Sequence, residues 1–294
     1  MFAAVSNRTS SPPKTLLSLD RIFSSNDFAD EPVAFRKWRD DGVGYFVLEP
    51  LGTETNWSSL VFVDAASGAK ECVILGSHLI PPGGSQPIPV HDFQFSPDQT
   101  KLLIFTYSQQ VWRQNTRGDY WVLDRTDSQL QRLGQSAAPG VLMFAKFAPD
   151  SKSVAYIQEN NIFIQRLSDL RITAITTNGS ASLINGTFDW VNEEELDLRD
   201  GFAWSPDGHH IAYWQTDTTG VREHQMIRNT DELYPVTRRW PYPKAGERNS
   251  SVRLGVQDIE GGDTRWMDIP GDPREHYLGR MNWTSNSTDL LIQQ

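Results

Sequence analysis

From residue 34 onward, short apolar runs alternate with polar turns, and one phrase keeps returning. Phe35-Arg36-Lys37-Trp38 is followed by Asp40-Asp41-Gly42 and then Tyr45-Phe46-Val47-Leu48. Phe93-Gln94-Phe95-Ser96-Pro97-Asp98 precedes Lys101-Leu102-Leu103-Ile104-Phe105, and Phe147-Ala148-Pro149-Asp150 precedes Ser153-Val154-Ala155-Tyr156-Ile157. Trp204-Ser205-Pro206-Asp207-Gly208 leads into His210-Ile211-Ala212-Tyr213-Trp214. A degenerate copy, Trp283-Thr284-Ser285-Asn286, leads into Leu290-Leu291-Ile292. Physically the phrase is a hairpin: an aromatic strand ends, Pro-Asp supplies a tight turn, and an apolar strand returns. Two further strand candidates follow most copies, such as Tyr120-Trp121-Val122-Leu123-Asp124 and Leu130-Gln131-Arg132-Leu133. Four strands per unit, recurring at about 50–60 residues, is the pattern of β-propeller blades. The fold class is therefore all-β: a partial β-propeller of about four complete blades and the start of a fifth.

Residues 1–30 read as a poorly ordered lead-in, rich in Ser, Thr and Pro to Lys14, with a short helix over 16–23. The partial propeller takes 31–294. The interval from Ser205 to Thr284 is oversized and holds Thr230-Asp231-Glu232-Leu233-Tyr234-Pro235 and Trp240-Pro241-Tyr242-Pro243-Lys244-Ala245-Gly246-Glu247-Arg248-Asn249. Long insertions in a repeat decorate one face and carry function or contacts. The chain stops at Ile292-Gln293-Gln294, inside what should be an inner strand, so a continuing ring is expected beyond it.

The chemistry concentrates in Asp189-Trp190-Val191-Asn192-Glu193-Glu194-Glu195. Glu suits the first half of a helix, and this run reads as one helical turn. Neighbours on such a turn point about 100° apart, so two of the three carboxylates can converge on a small cation. Taken alone, such a run is commonly a solvated acidic turn between strands.

Three motifs in this order and spacing resemble those of one family: the acidic run, the Trp204-Ser205-Pro206-Asp207-Gly208 strand, and Tyr242-Pro243-Lys244-Ala245-Gly246-x-x-Asn249. From roughly residue 15 onward the chain looks like the N-terminal β-propeller domain of dipeptidyl peptidase IV-type serine exopeptidases, in the prolyl oligopeptidase clan. The resemblance implies a substrate-gating propeller of an enzyme that removes N-terminal dipeptides with Pro or Ala second. It implies that Glu194 and Glu195 hold the free α-ammonium of the peptide. It also implies that Arg113 contacts the substrate carbonyl and braces the glutamates, although Gln110-Val111-Trp112-Arg113 departs by one residue from the family's Gln-Trp-Arg. The implied partners are a peptide with a free N-terminus, a C-terminal α/β-hydrolase domain and a second copy, since the family commonly dimerises. Without the family match, Arg113 would read as a surface Arg lying over a ring. Glu193 reads as structural, capping or solvated, Trp190 as core, and Tyr242-Pro243-Lys244 as a rigid loop.

The remaining features set bounds. The hydrolase mark G-x-S-x-G is absent, and Gly83-Gly84-Ser85-Gln86-Pro87 and Gly134-Gln135-Ser136-Ala137-Ala138 lack its last glycine. The catalytic triad is thus expected outside this chain, which alone should be inactive. The alternative is a binding or scaffold propeller with no hydrolase domain. A formal charge of −10 without a basic cluster argues against nucleic acid and suits an amine-bearing ligand. The six histidines show no metal-ligand spacing, so neither a metal nor another cofactor is expected. Cys72, the one cysteine, sits in an apolar run and reads as a buried structural thiol. No stretch reaches membrane-span length and no secretory h-region precedes Lys14, which leaves the compartment open between cytoplasmic and, for an N-terminally shortened chain, periplasmic or extracellular.

Overall fold

The computed structural model describes residues 16–29, 35–51, 57–230 and 232–294. Two compact units divide the chain after Val73. In the first, helix α1 (Leu19–Phe23) starts at Ser18, whose hydroxyl accepts the Arg21 N–H at 3.2 Å. It buries no side chain. Residues 1–15 of the expected lead-in lie outside the described residues. A four-stranded antiparallel meander follows, Arg36–Trp38, Gly44–Pro50, Ser58–Asp64 and Lys70–Ile74, each strand pairing with the next. Alternation decides its faces: Val47, Val61 and Val63 form one apolar patch, while Phe46 and Phe62 meet on the other side at 5.4 Å.

Cys72 corrects an expectation. Its strand, Lys70–Ile74, lies at the sheet edge with its first three residues exposed, so the thiol is exposed rather than buried. An apolar run predicts burial only when both faces of its strand are covered.

The second unit repeats the meander. Asp92–Phe95, Lys101–Val111, Gln114–Asp124 and Leu130–Arg132 form one set, and Leu142–Phe147, Ser153–Gln158, Asn161–Arg166 and Ile172–Ala174 the next. A third is Phe202–Trp204, His210–Asp217, Ser251–Asp258 and Arg265–Trp266, with Leu183–Asn185 added beside His210–Asp217. Met281–Trp283 and Leu290–Ile292 pair last. The all-β class expected from the sequence is the one observed, but the first two of these sets are not separate four-stranded sheets. Arg117 and Gly118 pair with Met143 and Leu142 and join them into one sheet of eight strands.

The recurring phrase owes its shape to local hydrogen bonds. Ser96 Oγ donates to Asp98 Oδ1 at 2.6 Å, and the same carboxylate oxygen accepts the Thr100 N–H at 3.0 Å. Ser205 and Asp207 repeat this at 2.5 Å, with His209 N–H donating at 3.0 Å. In each turn the residue after Asp or Asn is left-handed: Gln99, Ser151, Gly208 and Ser287 have φ between 61° and 75°. The turns also link successive strand sets. Asp98 N–H donates to Ser151 Oγ at 3.1 Å, and Asp207 N–H to Ser287 Oγ at 3.0 Å. The indoles add a second link, from Trp204 to the Lys146 carbonyl and from Trp283 to the Ala203 carbonyl, each at 3.3 Å.

Between sheets the core is aliphatic and aromatic, with Leu103, Val122, Leu142 and Tyr156 at one junction and Ile157, Ile162, Ile211 and Tyr213 at the next. Trp214, Leu254 and Phe188 fill the third. Two hairpins leave this frame. The ladder of Lys101–Val111 with Gln114–Asp124 runs on past its Thr106–Asp119 pair to a two-residue turn at Trp112 and Arg113. The oversized interval forms a separate hairpin, Glu223–Arg228 with Val236–Pro241.

Candidate functional site

The acidic run folds as predicted, into helix α2 (Trp190–Leu196). Asp189 caps it: one carboxylate oxygen accepts from Asn192 N–H at 3.2 Å and from the Asn192 side chain at 2.9 Å. The other accepts the Ser250 hydroxyl at 2.5 Å, which ties the helix start to the third sheet. Asp197 ends the helix in the left-handed conformation, φ 52°. The helical step of about 100° gives the three glutamates three environments.

Glu193 is buried, its side chain only 2% exposed, and it ion-pairs with Arg199 at 2.9 Å, out of line for a hydrogen bond. Its other oxygen accepts the backbone N–H of Arg113 at 3.0 Å. Of the structural, capping and solvated readings of Glu193, the geometry fits the structural one: a buried carboxylate between Arg199 and the Arg113 amide. Glu194 is half-buried, and the Arg113 guanidinium forks onto both its oxygens through Nε and Nη2. That carboxylate raises the Arg113 guanidinium above its ordinary value. Glu195 is exposed and has no hydrogen bond or ion pair with the described residues. Of three adjacent carboxylates, two have a guanidinium and the third has none.

Arg113 arrives from far away in sequence, at the tip of the long hairpin. Val111 pairs with Gln114, so the extra residue relative to Gln-Trp-Arg sits in the last rung of the stem. Trp112 takes φ 54°, a region that costs a bulky residue about 1–2 kcal/mol. Its ring lies under Arg199, whose guanidinium carbon is 4.3 Å from the ring centroid. Gln114 Nε2 also reaches Asp197 Oδ1 at 3.0 Å, so the tip touches α2 at both ends of its acidic run.

Arg199 went unnoticed in the sequence, although it stands alone among acidic residues in Leu196-Asp197-Leu198-Arg199-Asp200. Its Nη1 donates to the Phe188 carbonyl at 2.6 Å, and its own carbonyl accepts the Thr187 hydroxyl at 2.7 Å. Burial pushes the guanidinium down to about 10, against the upward pull of Glu193.

On its other side α2 presents Trp190, half-buried rather than core, stacked on Tyr242 at 4.5 Å. Tyr242 follows the Val236–Pro241 strand and meets His224 at 5.4 Å; His224 in turn meets Trp240 at 5.3 Å. A pocket of about 250 Å³ lies there among His224, Tyr242, Lys244 and the Arg222–Glu247 ion pair. Among the described residues no group of three or more His, Cys, Asp or Glu side chains is arranged to hold a metal.

Known proteins carry a similar segment. A family model described as the dipeptidyl peptidase IV (DPP IV) N-terminal region matches residues 96–294. Dipeptidyl aminopeptidase B of Saccharomyces cerevisiae is 34% identical over 213 residues, 70% of this chain and 25% of that protein. The probable dipeptidyl-aminopeptidase B of Neurospora crassa is 36% identical over 189 residues, 60% of this chain and 20% of that protein. The crystal structure of Porphyromonas gingivalis dipeptidyl peptidase 4 superposes with a TM-score of 0.77 at 26% identity, covering 94% of this chain and 38% of that one. The chain therefore spans a quarter or less of the length of these two curated relatives. With the family model matched from the Ser96 turn to the last residue, this β-propeller chain belongs to the dipeptidyl peptidase IV N-terminal region family.

Proposed function

We propose that this chain is the substrate-gating propeller portion of a serine dipeptidyl peptidase that releases N-terminal dipeptides, with Pro or Ala second. Glu194 and Glu195 take the α-ammonium of the peptide, and Arg113 braces Glu194 and reaches the substrate carbonyl. The observation that carries this reading is the unequal pairing on α2. Glu193 and Glu194 each face a guanidinium, and Glu195 beside them is exposed without a cation. An incoming ammonium supplies the missing charge. Each charge-assisted hydrogen bond contributes about 1.5–3 kcal/mol, enough to separate a free N-terminus from chain interior. Fixing the amine at a set distance from a nucleophile then counts residues, so cleavage falls after the second.

Hydrolysis comes from a Ser-Asp-His triad on a C-terminal α/β-hydrolase domain, and residues 1–294 alone are inactive. A homodimer belongs to the same reading, testable by sedimentation. The printed names of the relatives, dipeptidyl aminopeptidases and a dipeptidyl peptidase, support the activity class.

The test uses the full-length protein with a Gly-Pro chromogenic amide and its N-acetylated form. Free-amine substrate should be cleaved at least thirtyfold better, about 2 kcal/mol. Glu194→Gln and Glu195→Gln should each lose a similar factor. Equal cleavage of both substrates, or unaffected variants, would overturn the amine clamp, and no cleavage of either substrate would leave a non-catalytic binding or scaffold propeller as the reading.

A further inference from the structure

The geometry points to Arg199 as a positioning residue of the amine clamp, acting through Glu193 and Trp112 to hold the hairpin tip against α2. The inference rests on the clamp proposed above and adds a member that never touches substrate. The tip and the helix belong to distant parts of the chain, yet the clamp needs Arg113 and Glu194 in register to a fraction of an ångström. Three observations place Arg199 at that junction. Its guanidinium is sealed from solvent and ion-pairs with Glu193, the same carboxylate that accepts the Arg113 backbone N–H. Its flat face lies over Trp112, the left-handed residue immediately before Arg113. Its remaining reach is fixed by the Phe188 carbonyl, just ahead of the Asp189 cap.

One side chain thus contacts the helix entry, the helix interior and the hairpin tip. A guanidinium suits this because Nη1 bonds the Phe188 carbonyl and Nε faces Glu193 at its edge while its flat face stacks on Trp112, which an ammonium does not reproduce. Glu193 gains in turn: its buried carboxylate has a cationic partner on one oxygen and accepts the Arg113 amide on the other. The Arg113 side chain is then left to brace Glu194, and Glu195 to meet the ligand.

The test uses the full-length protein and four variants, Arg199→Met, Arg199→Lys, Trp112→Leu and the double variant Arg199→Met with Glu193→Gln. Arg199→Met should raise KM for a Gly-Pro chromogenic amide tenfold or more with kcat within threefold, and Arg199→Lys should recover only part of that. The double variant removes the orphaned buried carboxylate but keeps an amide oxygen for the Arg113 N–H. Its melting temperature should return toward wild type while KM stays raised. KM returning together with melting temperature would reduce Arg199 to a stability element and overturn the inference. Should Arg199→Met fail to fold, Trp112→Leu decides: it leaves the ion pair intact, a KM rise of about threefold supports the inference, and an unchanged KM overturns it. Failure of the clamp itself reads differently, as loss of free-amine preference in wild type or indifference to Glu195→Gln.

Discussion

Two hairpins leave the sheets of the second unit and both reach α2, but they are held in opposite ways. The Lys101–Val111 and Gln114–Asp124 arm is fixed at its tip by Glu193, Glu194 and Asp197. The Glu223–Arg228 and Val236–Pro241 arm is fixed at its root, where Tyr242 stacks on Trp190 and bonds back to the Arg222 carbonyl at 2.8 Å. Every residue of Glu223–Arg228 is exposed, Ile227 by 63%. A ladder of backbone hydrogen bonds gives each arm its direction. What it touches at the far end decides whether the arm can position a reacting group.

Glu193→Ala should break that contrast most severely. It strands Arg199 in a buried site, and about 3–5 kcal/mol of stability should be lost in denaturant unfolding. A loss below about 1 kcal/mol would show that the ion pair contributes little. Arg113→Ala should be next. The full-length protein should lose about thirtyfold in kcat/KM, or about 2 kcal/mol, with unfolding barely changed because the side chain is largely exposed. Matching losses of stability and activity would mean the tip had come away.

Acid sharpens the comparison in the turns of the sheets that carry the arms. The Ser96 hydroxyl, then the Thr100 amide, hold the Asp98 carboxyl well below the usual carboxylate range. The Ser205 hydroxyl acts likewise on Asp207. A lowered folded value means these turns stabilise fully above the unfolded value near 4 and lose that contribution as pH falls below it. Melting curves from pH 6 to 2 should therefore decline less steeply in Asp98→Asn than in wild type; parallel curves would discard the turn as an acid-sensitive element. The smallest effect belongs to the exposed arm, where Ile227→Thr should change stability by no more than about 0.5 kcal/mol.

The sheets were legible because their instructions are local. Ser-Pro-Asp followed by a residue able to adopt positive φ specifies a hairpin within five positions, as it does at Ser96 and Ser205. Helix α2 was legible for the same reason, from Asp189 and the glutamates behind it. Which glutamate is buried was not legible. A helix separates the three directions, but the neighbour that selects among them is Arg113, 80 residues away. Arg199 escaped because its partners, Trp112 and Glu193, lie on different elements. Cys72 misled for a related reason, since nothing in Glu71-Cys72-Val73-Ile74-Leu75 says that its strand is last in its sheet.

Glu193 grips the hairpin tip by the main chain at residue 113, not by the arginine side chain. Every amino acid except proline carries that N–H. The dock is therefore indifferent to which residue it presents, and selection can exchange the side chain at 113 without dismantling the fold around it. The arrangement separates a fixed socket from a replaceable tool, and it makes position 113 a place where the group facing Glu194 can change while the scaffold stays intact.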